Sequence, residues 1–243
     1  MKKILILQGG LNEEHKVSIN TANEVAKVLT KLKIDFIRFT VNPKTFVRDI
    51  SRFSNKHICF NSLHGSFGED GKIQKILKKK GFSFTHSNQN SSINCFNKIK
   101  SKEIIKKYKI LTPSHKLVKI KDIDHKYLEK ISIKFKKFVL KPVSSGSSYG
   151  LKVIKSKKDL TFFCKEIQKF KRNFNYNEYF IIEKYISGKE LTVSVLENES
   201  RIKPLEVTEI VSLNQTYDYQ AKYTKGFSKH YIPARISKKN YKK

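Results

Sequence analysis

Hydrophobic and polar positions change period several times along the chain, and each change marks an element. Residues 3–10, "KILILQGG", are a short, near-continuous apolar run closed by two glycines. That pattern suits a buried parallel strand that meets a loop at its carboxyl end. Residues 17–32, "VSINTANEVAKVLTKL", carry apolar side chains at helical spacing, and residues 33–41, "KIDFIRFTV", alternate like a second strand. A βαβ opening follows from this order. "HICFNSLHG" (57–65) predicts a further strand, and "GKIQKILKKKG" (71–81) a helix ended by Gly81. Residues 1 to about 90 therefore read as a small doubly wound α/β domain, whose ligands belong beyond the carboxyl ends of its strands. The tips there are "QGGLNEEH" and "LHGSFGEDG".

"NKIKSKEIIKKYKI" (97–110) predicts a helix that stops before Pro113. From "FKKFVLKPV" (135–143) onward the period becomes that of strands, continuing in "LKVI" (151–154), "YFIIEKYI" (179–186) and "LTVSVLEN" (191–198). "SKKDLTFFCKEIQKF" (156–170) is helical between them. "SLNQTYDYQAKYTKGFSKHYIPARI" (212–236) is long, polar and tyrosine-rich, and reads as a functional loop. The chain has no internal repeat.

Composition adds less than its extremes suggest. With 38% hydrophobic and 12% aromatic residues, the 243-residue chain is globular and long enough for one large domain or two to three small ones. The net charge of +30 raises the possibility of a basic nucleic-acid-binding protein. Only six of the 51 basic residues are arginine, however, and the lysines are strewn along the chain. Coding in an AT-rich gene explains such a surplus, and no specific nucleic-acid partner is expected. Cys59, Cys95 and Cys164 have no CxxC pairing, which fits a reducing cytoplasm rather than a disulfide framework or zinc site. The amino terminus is too short in apolar residues for a signal-peptide core, and no run is long enough to span a membrane.

Chemistry concentrates in "KPVSSGSSYG" (141–150), where glycines admit an anion to the backbone, serines add donors, and Lys141 supplies a compact charge. It matches neither a Walker A loop nor a dinucleotide-binding fingerprint, and taken alone it also fits a hairpin turn. Its context decides. "GGLNEEHKVS", "HGSFGEDGKIQKIL", "LKPVSSGSSYGLKV", "IIEKYISGKELTVSVL" and "YDYQAKYTKG" occur in that order. Together they resemble the D-alanine–D-alanine ligases of the ATP-grasp superfamily over nearly the whole chain.

The resemblance implies an α/β ATP-grasp fold in three parts. These are an N-terminal substrate-binding domain (1–92), a small ATP-clamping domain (93–180), and the start of a catalytic domain (181–243). It implies ATP-dependent joining of two D-alanines through an acyl phosphate, for peptidoglycan precursor synthesis, by a cytoplasmic homodimer. Glu14 is then expected near the ammonium of the first D-alanine and His64 near its carboxylate. Lys98 and Lys141 would bind ATP phosphates, Ser147 and Tyr223 would hydrogen-bond as the long loop closes, and Lys222 would reach the γ-phosphate. The pair Lys222–Tyr223 favours a dipeptide over an ester product. Ser148 lies in the phosphate flap. Glu183 would bond the adenine amino group, Lys184 and Tyr185 would line the adenine slot, and Glu190 would hold the ribose.

Two positions depart from the family pattern: His86 stands where relatives usually have glycine, and Asn97 where they have aspartate. The family's remaining pattern, with its oxyanion donors and its ligands for magnesium (or manganese), has no counterpart after Arg235. No metal ligand is therefore expected among these residues, and the chain alone is expected to have little ligase activity. A different ATP-grasp carboxylate–amine ligase and an inactive truncated remnant are the alternative expectations.

Overall fold

Strand β1 (Ile4–Gly9) organises the first part of the chain, because Leu5, Ile6 and Leu7 are completely buried. It pairs in parallel with β2 (Phe36–Val41) on one side and β3 (Ile58–Asn61) on the other. Between β1 and β2 runs α1 (His15–Lys31), and the short α2 (Phe46–Asp49) precedes β3. Helix α3 (Lys72–Lys79) leads to β4 (Ser83–Phe84), which completes a parallel sheet in the order β2-β1-β3-β4. Gly81, at φ +76°, ends α3 as expected. The chain turns to opposite sides of β1 after its first and second crossovers, so right-handed connections bring α1 and α3 to opposite faces. The loops after β1 and β3 consequently open at one topological switch point. Leu5, Leu7, Phe46, Ile50, Cys59, Ile73 and Leu77 pack together beneath them, each fully buried side chain contributing roughly 1.5–3 kcal/mol.

The computed structural model describes residues 3–198, 201–213 and 217–241. Helices α4 (Gln89–Phe96) and α5 (Lys98–Lys107) connect the parallel sheet to a second, antiparallel one. Asn97 caps α5, its side chain accepting from Ile99 N and Lys100 N at 3.0 and 3.1 Å. The amide oxygen therefore does the capping work an aspartate would do there. His86 adopts φ +77°, the left-handed backbone that explains a preference for glycine at this position.

The second sheet has the order β5-β8-β6-β7, from β5 (His115–Lys119), β6 (Phe138–Pro142), β7 (Lys152–Ile154) and β8 (Tyr179–Lys184). Helices α6 (His125–Phe135) and α7 (Lys157–Lys171) bury Leu128, Ile131, Phe135, Leu160, Phe163 and Ile167 in its core. A capping box of Ser156 and Asp159 fixes the start of α7. Helix α6 is absent from the sequence expectations, although Asp124 caps it through Tyr127 N at 2.7 Å. The expected boundary after residue 180 falls inside β8, whose pairing with β6 continues to Lys184. The boundary after residue 92 likewise falls inside α4.

The run at 191–198 is two strands, not one. β9 (Glu190–Thr192) and β10 (Val195–Asn198) join different sheets. β10 pairs with β11 (Arg201–Pro204) in an exposed two-stranded sheet. β9 pairs with β12 (Thr208–Ser212), which also pairs with β13 (Ser228–Tyr231). The tyrosine-rich stretch expected as a loop contains β13 and the one-turn helix α8 (Tyr219–Tyr223), capped by Asp218 through Ala221 N at 2.9 Å. Helix α9 (Lys238–Tyr241) follows. Among the described residues, no helix is long and apolar enough to cross a membrane.

Candidate active site

The loop between β6 and β7 reaches back to the parallel sheet and closes over Glu14. Ser147 and Ser148 both adopt left-handed backbone, at φ +48° and +61°, which costs roughly 1–2 kcal/mol for each non-glycine residue. In return, Ser147 Oγ donates to Glu14 Oε1 and lies 2.5 Å from the Tyr223 hydroxyl. Ser147 has one proton, so Tyr223 donates to it and the three side chains form a directed chain. Ser148 Oγ donates to the Tyr217 carbonyl at 3.0 Å. These bonds fasten the flap to Glu14 on one side and to residues 217–223 on the other.

Glu14 is 1% exposed, and its Oε2 has no hydrogen-bond partner. Two glycines make the space. A Cβ on Gly65 would stand 2.3 Å from that oxygen and one on Gly146 2.8 Å, so the carboxylate lies against bare backbone on both sides. Burial pushes the Glu14 carboxyl up, only partly offset by the Ser147 hydrogen bond. Glu69 stands beside it, accepting from Gly65 N at 3.0 Å, and is also pushed up by burial and, more weakly, by Glu14. The half-buried Lys222 faces Glu14, Glu190 and Glu69; burial depresses its ammonium while these acids oppose the shift. A buried anionic corner with one exposed-side cation results.

His64 closes this corner. Its Nε2 is 2.9 Å from Thr21 Oγ1 on α1, and its Nδ1 is 4.0 Å from Glu69 Oε1. Burial and then His86 lower its pKa, favouring the neutral ring. Asn12 stitches the two strand-tip loops together, donating to the carbonyls of His64 and Ser66 at 2.8 and 3.0 Å.

Beyond the flap lies a cleft of about 1210 Å³ between the second sheet and β9–β12. Lys98, Lys141, Ser147, Ser148, Tyr185, Glu190 and Lys222 line it. Lys98 Nζ donates to the Ser145 carbonyl at 2.9 Å, holding the flap root. Burial, then Lys141 and Lys222, push Lys98 down to about 8. Lys155 Nζ stands 4.9 Å from the Tyr185 ring centroid, and both residues line the cleft.

Two of the expected adenine residues, Lys184 and Glu183, do not line the cleft surface. Lys184 is exposed at the end of β8, and because adjacent strand residues face opposite ways its side chain shares the face of the buried Phe180 and Ile182, opposite Glu183. Glu183 is buried in the wall behind Lys141 rather than lining the cleft. Its Oε2 is 2.6 Å from Lys141 Nζ and its Oε1 2.8 Å from Lys102 Nζ. Burial opposes the Glu183 charge, yet the two lysines outweigh it and hold the carboxyl below its usual range. Lys102, Glu69 and the cleft-lining Glu209 were not among the sequence candidates. Glu209 is gripped by Arg235 and Lys189.

Residues 102–243 match the family described as D-ala D-ala ligase C-terminus. A D-alanine–D-alanine ligase of Pelagibacter ubique is 38% identical across all of this chain and 76% of its own length. That of Thermotoga maritima is 34% identical across 97% of this chain and 73% of its own. The ligase of Bacillus anthracis superposes with a TM-score of 0.71 at 28% identity, covering 98% of this chain and 73% of that one. Its complex with ATP superposes at 0.70 and 25% identity, covering 98% and 72%. The chain belongs to the D-alanine–D-alanine ligase family.

Proposed function

We propose that this protein joins two D-alanines at the expense of ATP for peptidoglycan precursor synthesis. The observation that carries the reading is Glu14 Oε2, a buried carboxylate oxygen with no partner beneath a latched flap. Such an oxygen is costly unless a ligand supplies the missing donor, and an amino-acid ammonium is that donor. Anchored there, the first D-alanine keeps its own carboxylate free. One of its oxygens attacks the γ-phosphorus of ATP, the bond to the β-phosphate oxygen breaks, and ADP leaves. The amine of the second D-alanine then attacks the acyl carbon, inorganic phosphate leaves, and the amine loses a proton.

Lys98, Lys141 and Lys222 supply the charge that phosphoryl transfer demands, with Ser148 and the flap amides over the phosphates. Ser147 and Tyr223 hold the flap shut and exclude water, which would otherwise hydrolyse an acyl phosphate. His64, neutral and fixed by Thr21, serves the substrate carboxylate. Tyr185 and Glu190 take the adenine and ribose, and Glu183 takes the adenine amino group once Lys141 turns to phosphate. Among the described residues, no three of His, Cys, Asp and Glu come together to hold a metal. Magnesium or manganese is proposed as the companion of the ATP phosphates, on family resemblance. The proposal extends to three domains near the expected boundaries and to a cytoplasmic homodimer, both on family resemblance.

The test is phosphate release from ATP by this chain with and without D-alanine, alongside Glu14→Gln. Release that requires D-alanine and falls at least a hundredfold in the variant supports the reading. Calorimetry then measures D-alanine binding where turnover is too slow. Equal D-alanine affinity in both proteins would remove Glu14 from the site.

A further inference from the structure

Helix α5 presents two lysines one turn apart on the face turned toward the cleft, and the second has no role in the reading above. Lys98 holds the root of the flap. Lys102, four residues on, is 11% exposed at its side chain. Its ammonium is 2.8 Å from Glu183 Oε1, 2.6 Å from Thr112 Oγ1 and 3.2 Å from the Pro113 carbonyl. Three acceptors consume its three protons, so it has none left to offer a ligand.

Lys141 is different. Its side chain is 27% exposed, lines the cleft, and makes one ion pair, to Glu183 Oε2 at 2.6 Å. Glu183 thus has a fixed cation on one oxygen and an exchangeable cation on the other. We propose that Lys102 is a positioning residue that holds Glu183 ionised and in place, so that Lys141 can leave it for a phosphate and the freed Oε2 can select a 6-aminopurine nucleotide.

The chemistry sets the selection. A carboxylate oxygen accepts from an exocyclic amino group and repels a 6-oxo oxygen, so a fixed Glu183 charge favours ATP over GTP. Without Lys102, Lys141 becomes the only cation neutralising a buried carboxylate and stays paired. The nucleotide then loses both a phosphate ligand and a base acceptor. This inference rests on the proposed placement of the adenine beside Glu183.

The test is calorimetric titration of the 243-residue chain with ATP and with GTP, for Lys102→Met, Lys102→Arg, Glu183→Gln and the double variant Lys102→Met/Glu183→Gln. Lys102→Met is expected to weaken ATP at least tenfold and to bring ATP and GTP within threefold of each other. Lys102→Arg recovers most of the loss. On the Glu183→Gln background, Lys102→Met adds less than twofold, because its effect passes through the carboxylate. Wild-type ATP affinity in Lys102→Met, or an undiminished penalty on the Glu183→Gln background, overturns the inference. Glu183→Gln with the full preference for ATP instead refutes the adenine placement, while the cycle in ATP affinity still decides Lys102. If Lys102→Met fails to fold, the double variant removes the buried carboxylate and its buried partner together, leaving only the cleft-exposed Lys141 without an ion pair, and is compared with Glu183→Gln alone. A tenfold gap between them overturns the inference.

Discussion

Replacing Gly146 with alanine adds one methyl group at the point where the flap meets the acid it covers. The backbone tolerates it, since Gly146 is not among the residues at positive φ. Space does not: the new Cβ would stand 2.8 Å from Glu14 Oε2 and 3.4 Å from Glu69 Oε2. Glu14 has no retreat, because the same oxygen is wedged against Gly65 on the other side. The flap must therefore lift. Lifting breaks the Ser147 bond to the Glu14 carboxylate, about 1.5–3 kcal/mol for a charged acceptor, and the Ser147–Tyr223 bond, about 0.5–1.5 kcal/mol. The sum of about 2–4.5 kcal/mol lowers the closed-to-open ratio roughly 30- to 2,000-fold. Global stability should hold or rise slightly, since alanine restricts the unfolded chain. Amide exchange resolves the two effects. Flap amides at 146–150 should lose protection in Gly146→Ala, while β1 and β6 keep theirs. D-alanine affinity should fall with the flap, and ATP affinity should fall as well, because Ser147 and Ser148 line the nucleotide cleft. Unchanged flap protection together with wild-type D-alanine affinity would refute the packing argument.

Two further outcomes follow from the charges. Lys98 is charged below its pKa of about 8 and loses that charge as pH rises toward its ordinary 10.5. The ATP dissociation constant should therefore be flat to about pH 8 and climb by up to tenfold per unit above it. Lys98→Arg should remain flat, and a flat wild-type curve to pH 9.5 would exclude Lys98 from the phosphates. Glu209 is held at about 2, against an ordinary 4.5, by Arg235 and then Lys189. A depressed carboxyl stabilises fully above about pH 4.5 and loses that contribution as pH falls toward 2. Thermal melts should show Arg235→Ala well below the wild type at pH 7, with the gap closing below pH 4.5. A gap independent of pH would assign Arg235 to packing on the Tyr231 ring, 3.6 Å away.

What the sequence disclosed follows the strength of its periods. β1, α1 and β2 are legible because one strand is buried from Leu5 to Gly9 and one helix has a single buried face. The split between β9 and β10 is not, since both strands are exposed along their length and no burial pattern separates them. Helix α6 carries its own sequence signal, with Asp124 as cap and Leu128, Ile131 and Phe135 on one face. The site divides in the same way. Ordered motifs single out Glu14, Ser147, Lys222 and Tyr223, although 133 residues separate Glu14 from Ser147. Lys102 has no such mark among 45 lysines. Its distinction is three acceptors brought together by α5, β8 and the residues before β5, which is a property of the fold alone.

The flap also shows why its composition is serine and glycine rather than either one. Gly146 is required by contact with Glu14, not by its backbone angle. Ser147 and Ser148 do the reverse: they accept left-handed angles that glycine would take at no cost. Glycine at 147 would relieve that strain and lose the hydroxyl that bridges Glu14 to Tyr223. The strain is thus held by the latch, and a latch carrying strain opens readily once its bonds are weakened. A lid that must release product needs that balance. Ser147→Gly should relax the backbone and still leave Glu14 with both oxygens unpartnered, so the open flap would be more stable and D-alanine binding weaker. Ser147→Thr keeps the hydroxyl but puts a β-branched side chain at φ +48°, so it should retain the bond while adding strain. If the glycine variant binds D-alanine better than the threonine variant, backbone strain outweighs the hydroxyl chain in setting the closed state.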